Sequence, residues 1–109
     1  MLEALFGGAT AEKVLLYLAA YGEGYARQIA DRFSIPFSMV QKQLTKFEAA
    51  GLLASRLQGR TRVYAWNPRF PLKGEVLALL KRAAEFLPDR ERQRYLTAAR
   101  RRPRRAGKP

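Results

Sequence analysis

At Gly51 the spacing of apolar residues along this chain changes from a helical period to a two-fold one, and that switch limits the folds open to it. Upstream, Val40, Leu44 and Phe47 recur at the spacing of one helix face over 37–50, and Gly51 supplies a C′ residue able to turn left-handed. Downstream, 52–57 and 62–66 alternate as paired strands around the turn Gln58-Gly59-Arg60-Thr61, and Asn67-Pro68 ends the second strand. Two further helical patterns precede these. Thr10 caps one that runs to Tyr21, with Val14, Leu15 and Leu18 inward, and Gly22-Glu23-Gly24 stops it. A short second one covers 25–33, where Ala26, Ile29, Ala30 and Phe33 are spaced i, i+3, i+4, i+7. Ser34-Ile35-Pro36 is a three-residue turn, and 1–6 is an apolar lead-in broken by Gly7-Gly8. The order predicts a mainly α fold with a small β-hairpin.

After the hairpin, Pro71 opens a last apolar helix to about residue 87, with Leu72, Val76, Leu79, Leu80, Ala83 and Phe86 on a broad stripe. Leu77, Ala78, Ala84 and Leu87 fall off that stripe, and a helix apolar most of the way round needs two partners. With Leu2, Leu5 and Phe6 it is expected to form a two-fold interface between copies of the chain. Pro88 then begins a polar helix over 89–100, and 101–109 is expected to be a disordered tail. The expected organisation is one domain over 1–87 and a basic helical extension and tail over 88–109.

The 109 residues include neither Cys nor His. Disulfides, thiolate metal sites, a Cys nucleophile and an imidazole base are all absent, so the reading is of a protein that is not an enzyme and carries no cofactor. The nine acids are scattered singly, which leaves no carboxylate cluster for a metal. No stretch approaches the roughly 18 apolar residues of a membrane span, and the first residues lack the pattern of a signal peptide. Both point to a cytoplasmic protein. The net charge of +12 is segregated: residues 27–66 hold seven Lys/Arg against two acids, 90–109 hold nine against one, and 1–26 hold one against three. Such segregation favours a polyanionic partner.

Helix, short helix, tight turn, helix and hairpin is the layout of a winged helix-turn-helix with C-terminal helices. The run Arg27-Gln28-Ile29-Ala30-Asp31-Arg32-Phe33, and then Leu44-Thr45-Lys46-Phe47-Glu48-Ala49-Ala50-Gly51-Leu52, resembles the ArsR-type and MarR-type regulators. Their recognition helix ends in a similar L-x-x-L-E-x-x-G-L phrase. Gly59-Arg60-Thr61-Arg62-Val63-Tyr64 is similar to their wing, and the resemblance spans about 5–87. Within that span the chain most resembles winged-helix domains that begin L-F-G, here Leu5-Phe6-Gly7, continue past N-P, here Asn67-Pro68, and sometimes precede nucleotidyltransferase domains; no such domain is expected here. The resemblance implies a homodimeric regulator of double-stranded DNA. It gives no support to metal sensing, since metal-sensing members use Cys and His. Where those families often place Ser then Pro at the recognition-helix cap, this chain has Pro36-Phe37.

A recognition helix needs one apolar face to hold it and one polar face to read the major groove. Ser38, Gln41, Lys42, Thr45 and Lys46 supply the second, with no acid among them. Gln41 suits adenine, Lys42 suits guanine or a phosphate, and Ser38 lies near the N-terminus that approaches the bases. Phe37 starts the helix, placed for a thymine methyl, a sugar, or local packing. Arg56, Arg60 and Arg62 flank the hairpin tip, and the resemblance sends them to the minor groove or adjacent phosphates. Tyr64 and Trp66 are expected to pack the hairpin onto the helices. The leading expectation is a sequence-specific regulator, a repressor. The alternative is a winged-helix partner or antitoxin-like subunit of an enzyme encoded nearby, such as a nucleotidyltransferase, and RNA binding is a third.

Overall fold

The computed structural model describes residues 1–93. In chain order these form α1 (Glu3–Phe6), α2 (Ala9–Tyr21), β1 (Glu23–Gly24), α3 (Ala26–Phe33), α4 (Phe37–Ala49), β2 (Leu53–Gln58), β3 (Thr61–Trp66), α5 (Lys73–Ala84) and α6 (Asp89–Arg92). The polar helix expected over 89–100 is described only at its start, and the tail lies outside the described residues. No described helix is long and apolar enough to cross a membrane.

α2 is apolar nearly all round, so it takes the centre. Val14, Leu15 and Leu18 are fully buried as expected, and Ala11, Leu16 and Tyr17 join them. The Tyr17 ring stacks on Tyr21 at 4.3 Å between centroids and meets Phe33 edge-on at 6.3 Å, which ties α2 to α3. Ser34 ends α3 in the left-handed region at φ 56°, and Pro36 at φ −55° presets the entry to α4. Val40, Leu44 and Phe47 turn into the core, as their spacing requires.

The hairpin turns through Gln58-Gly59-Arg60-Thr61, as expected. Gln58 pairs with Thr61, leaving Gly59-Arg60 as a two-residue loop. Gly59 has φ 67° while Arg60 does not have positive φ, which is the pattern of a type II′ turn. Residues opposed in the ladder share a face, so Leu53, Ser55, Leu57, Arg62, Tyr64 and Trp66 lie on one side, and Ala54, Arg56 and Val63 on the other. Tyr64 is buried and Trp66 donates its indole N–H to the Leu18 carbonyl at 3.0 Å, so the aromatics do fasten the hairpin to α2.

Four expectations change. Thr10 is the second residue of α2, whose N-cap position is Gly8, so it does not cap that helix. The Gly22-Glu23-Gly24 stop also contains a strand: β1 pairs with β3 through Glu23↔Ala65 and Gly24↔Tyr64, giving an antiparallel sheet of order β1-β3-β2. The lead-in contains a helical turn, α1, because the buried Glu12 carboxylate accepts the Leu2 N–H at 2.8 Å and caps it. Leu2 is thereby buried in the core, and is not available to a subunit interface. On α5 the inward stripe is Val76, Leu80, Ala83 and Leu87, whereas Leu72, Leu79 and Phe86 face out at 56%, 40% and 59% exposure.

Gly24 lies directly against Tyr17 of α2. A Cβ there would stand 2.8 Å from Tyr17 Cε1 and 3.2 Å from Gln28 Oε1, and Tyr17 is fixed by its ring contacts. Gly24→Ala is therefore expected to cost about 1–3 kcal/mol of unfolding free energy, the usual range for overpacking, measured by urea denaturation.

Candidate nucleic-acid interface

At 3.6 residues per turn, Ser38, Lys42, Thr45 and Ala49 fall on one line along α4, opposite Val40, Leu44 and Phe47. All four are exposed, and no acid lies among them. Lys42 has no hydrogen-bond or ion-pair partner among the described residues.

The two flanks of that line are anchored differently. Toward the hairpin, the Gln41 amide donates to the Tyr64 hydroxyl at 3.0 Å and to Thr45 Oγ1 at 3.2 Å. Two turns beyond Gln41, the Glu48 carboxylate accepts the Ser55 hydroxyl at 2.6 Å, and Ser55 Oγ in turn accepts from Arg62 at 3.0 Å. These links hold the hairpin against α4, so helix and wing form one rigid edge. Toward α1, Lys46 donates to the Phe6 carbonyl at 3.1 Å and lies over the Phe47 ring at 4.9 Å. The ammonium thereby answers a free carbonyl at the end of α1.

The three wing arginines have three different situations. Arg62 shares the ladder face of Tyr64 and stays beside α4 through Ser55. Arg60 sits in the two-residue loop, exposed and without a partner among the described residues. Arg56 points to the opposite face, where it pairs with Glu23 at 3.2 Å and donates to Gln58 at 2.9 Å. The fold thus brings Ser38, Lys42, Thr45 and Arg62 to one edge, with Arg60 exposed at the tip of the same hairpin. Gln41 and Lys46 sit at its margins, and Arg56 is turned away from it.

One pair at this edge is not foreshadowed in the sequence. The guanidinium of Arg27, in the first turn of α3, lies 4.7 Å from the centroid of the exposed Phe37 ring at the start of α4. Nine residues, the turn among them, lie between the two, so no local periodicity announces the contact. The Glu48–Ser55–Arg62 chain is hidden for the same reason: it joins elements through side chains alone.

No protein-family model matches this chain, and no curated protein matches it. Solved structures do. YusO from Bacillus subtilis is 21% identical, with 94% of this chain and 76% of YusO covered at a TM-score of 0.55. AF1382 from Archaeoglobus fulgidus is 22% identical over 81% of this chain and 98% of its own, also at 0.55. A MarR-family transcriptional regulator from Rhodococcus is 17% identical at a TM-score of 0.51, over 73% of this chain and 61% of that one. The chain has the winged helix-turn-helix fold. It covers 66% of Lactococcus lactis ZitR, 19% identical at a TM-score of 0.50. Whatever ZitR and the Rhodococcus regulator do with the remainder of their length has no counterpart in the likeness.

Proposed function

We propose that this protein is a sequence-specific regulator of transcription that binds double-stranded DNA, with α4 in the major groove and the β2–β3 wing on the flanking backbone. The observation that carries the reading is the exposed, acid-free line of Ser38, Lys42 and Thr45, fixed beside Arg62 by the Gln41–Tyr64 and Glu48–Ser55–Arg62 links, with Arg60 exposed at the tip of the same hairpin. A helix fits the major groove, and Lys or Gln at its surface matches the base edges there. Preset geometry between helix and wing lowers the ordering cost of docking both at once. Gln41 and Lys46 bracket the contact. Arg56, on the other face of the wing, reaches a phosphate only by releasing Glu23 and turning round the edge of the hairpin. Such exposed ion pairs are weak enough to exchange.

Leu72, Leu79 and Phe86 on and beside α5 are exposed, as is Leu5 on α1, and such uncovered apolar side chains suit a homodimer. A dimer would present two copies of α4 about 34 Å apart, one turn of the duplex. Repression asks for nothing more than occupancy of such a site. The basic run over 90–109 adds phosphate contacts without base preference.

Fluorescence anisotropy against the DNA upstream of its own gene and a scrambled duplex, across a salt series, tests the reading. Tighter binding to the upstream DNA that persists near 0.15 M salt is the expected result, with two chains per site. Equal binding to both duplexes, collapsing as salt rises, would reduce the basic charge to an anchor and favour the partner-subunit alternative.

A further inference from the structure

Phe37 is the exposed aromatic ring of α4, beside an outer line that is polar at Ser38, Lys42 and Thr45, with Met39 the other exposed large apolar side chain of that helix. Phe37 is 41% exposed at the first position of α4, next to Ser38, where a soluble helix has no local need of an aromatic ring. Nor is it loose. Ser34 in the left-handed region and Pro36 at φ −55° define the path into α4, and the Arg27 guanidinium covers one side of the ring at 4.7 Å. A stiff turn and a cation over the ring hold the side chain in place before any ligand arrives.

We propose that Phe37 and Arg27 form a composite reader, in which the open side of the Phe37 ring contacts the 5-methyl group of a thymine while Arg27 grips the neighbouring phosphate. The inference rests on the proposed DNA binding by α4 and adds a base identity to it. The N-terminal residues of a recognition helix are those that reach base edges. Among the groups a base pair displays in the major groove, the thymine methyl is the apolar one, and an apolar side chain is its natural contact. With one face already covered, the ring cannot be sandwiched between two bases, which removes intercalation. A protein partner is a poor fit, because a single ring bordered by Arg27 and Ser38 falls far short of the about 800 Å² that each side of a stable interface buries.

Arg27 serves both ends of the contact. Its guanidinium plane is spent on the ring, but its N–H donors lie in that plane, and their edge remains free for a phosphate oxygen. The first turn of α3 belongs to the helix that crosses the DNA backbone in this motif, so that edge meets a phosphate while the ring meets a base.

The test uses the full chain. A preferred duplex is selected from a randomised pool, each thymine in it is replaced singly by uracil, and binding is followed by anisotropy. Uracil keeps every hydrogen-bonding group of thymine and lacks only the methyl. At one thymine in each half-site the wild type is expected to lose about fourfold in affinity, the worth of one buried methyl group. Phe37→Ala, folded because the ring is outside the core, is expected to bind the thymine and uracil duplexes equally. Arg27→Ala is expected to lower the slope of log affinity against log salt by about 0.9, one phosphate contact. A wild-type chain that selects a sequence yet loses nothing at any uracil overturns the proposal and leaves DNA binding by α4 standing. So does a Phe37→Ala chain that retains the full uracil penalty. A chain that selects no sequence overturns both.

Discussion

Leu44→Ala is expected to lower the free energy of unfolding by about 2–5 kcal/mol, the range seen when a buried leucine is cut back and its cavity cannot collapse. Leu44 is fully buried at the midpoint of α4, in one cluster with Val40, Phe47, Leu15 and Leu18, and the surrounding helices are locked by the Tyr17 ring contacts. Small domains have only about 5–15 kcal/mol in total, so a loss of this size puts a visible fraction of molecules in the unfolded state. The single tryptophan makes the measurement direct. Trp66 is half-buried and donates to the Leu18 carbonyl at 3.0 Å, so its emission reports whether the hairpin is still seated on α2. Urea titration followed by that emission should give a lower midpoint with an unchanged slope, because the same surface is exposed on unfolding. DNA affinity should fall only by the unfolded fraction and recover under conditions that refold the variant. A destabilisation below about 1 kcal/mol would mean that α4 is not held by this face, and the orientation of its outer line would fall with it.

What the sequence displays and what it hides divide along a physical line. Periodicity is local, so α2, α3, α4 and the hairpin are legible in it. Val40, Leu44 and Phe47 on one side of α4 imply Ser38, Lys42 and Thr45 on the other. The turn Gln58-Gly59-Arg60-Thr61 lies where its composition puts it, so Leu57 opposes Arg62 and the ladder faces of Arg56 and Arg62 follow from it. β1 is hidden because two residues carry no period, and its partners Ala65 and Tyr64 lie some forty positions on. α1 is hidden because a single turn is held by a carboxylate, Glu12, from the next helix. On α5 the apolar residues fill two stripes, and composition does not say which one α2 will cover. The site shows the same split. Its outer line is legible, whereas the Gln41–Tyr64 bond, the Glu48–Ser55–Arg62 chain, the Arg56–Glu23 pair and the Arg27–Phe37 contact all depend on elements brought together by the whole fold.

That split makes two lysines of the same helix the sharpest comparison. Lys42→Ala is expected to weaken binding to the preferred duplex by about ten- to a hundredfold if the ammonium pairs with guanine, which is about 1–3 kcal/mol of discrimination. If it meets a phosphate instead, the loss is uniform across sequences and the salt slope falls by about 0.9. Either way stability should stay within about 0.5 kcal/mol, since the side chain is exposed and without a described partner. Lys46 is four residues on and equally basic, yet its ammonium is committed to the Phe6 carbonyl at 3.1 Å, on the flank facing α1. Lys46→Ala should therefore loosen α1 and leave most of the DNA affinity in place. Charge alone predicts equal losses from the two variants, because each removes one cation from the same helix. Geometry predicts unequal ones. Equal losses would reduce α4 to a diffuse positive surface. An unchanged affinity and slope in Lys42→Ala would remove it from the groove altogether.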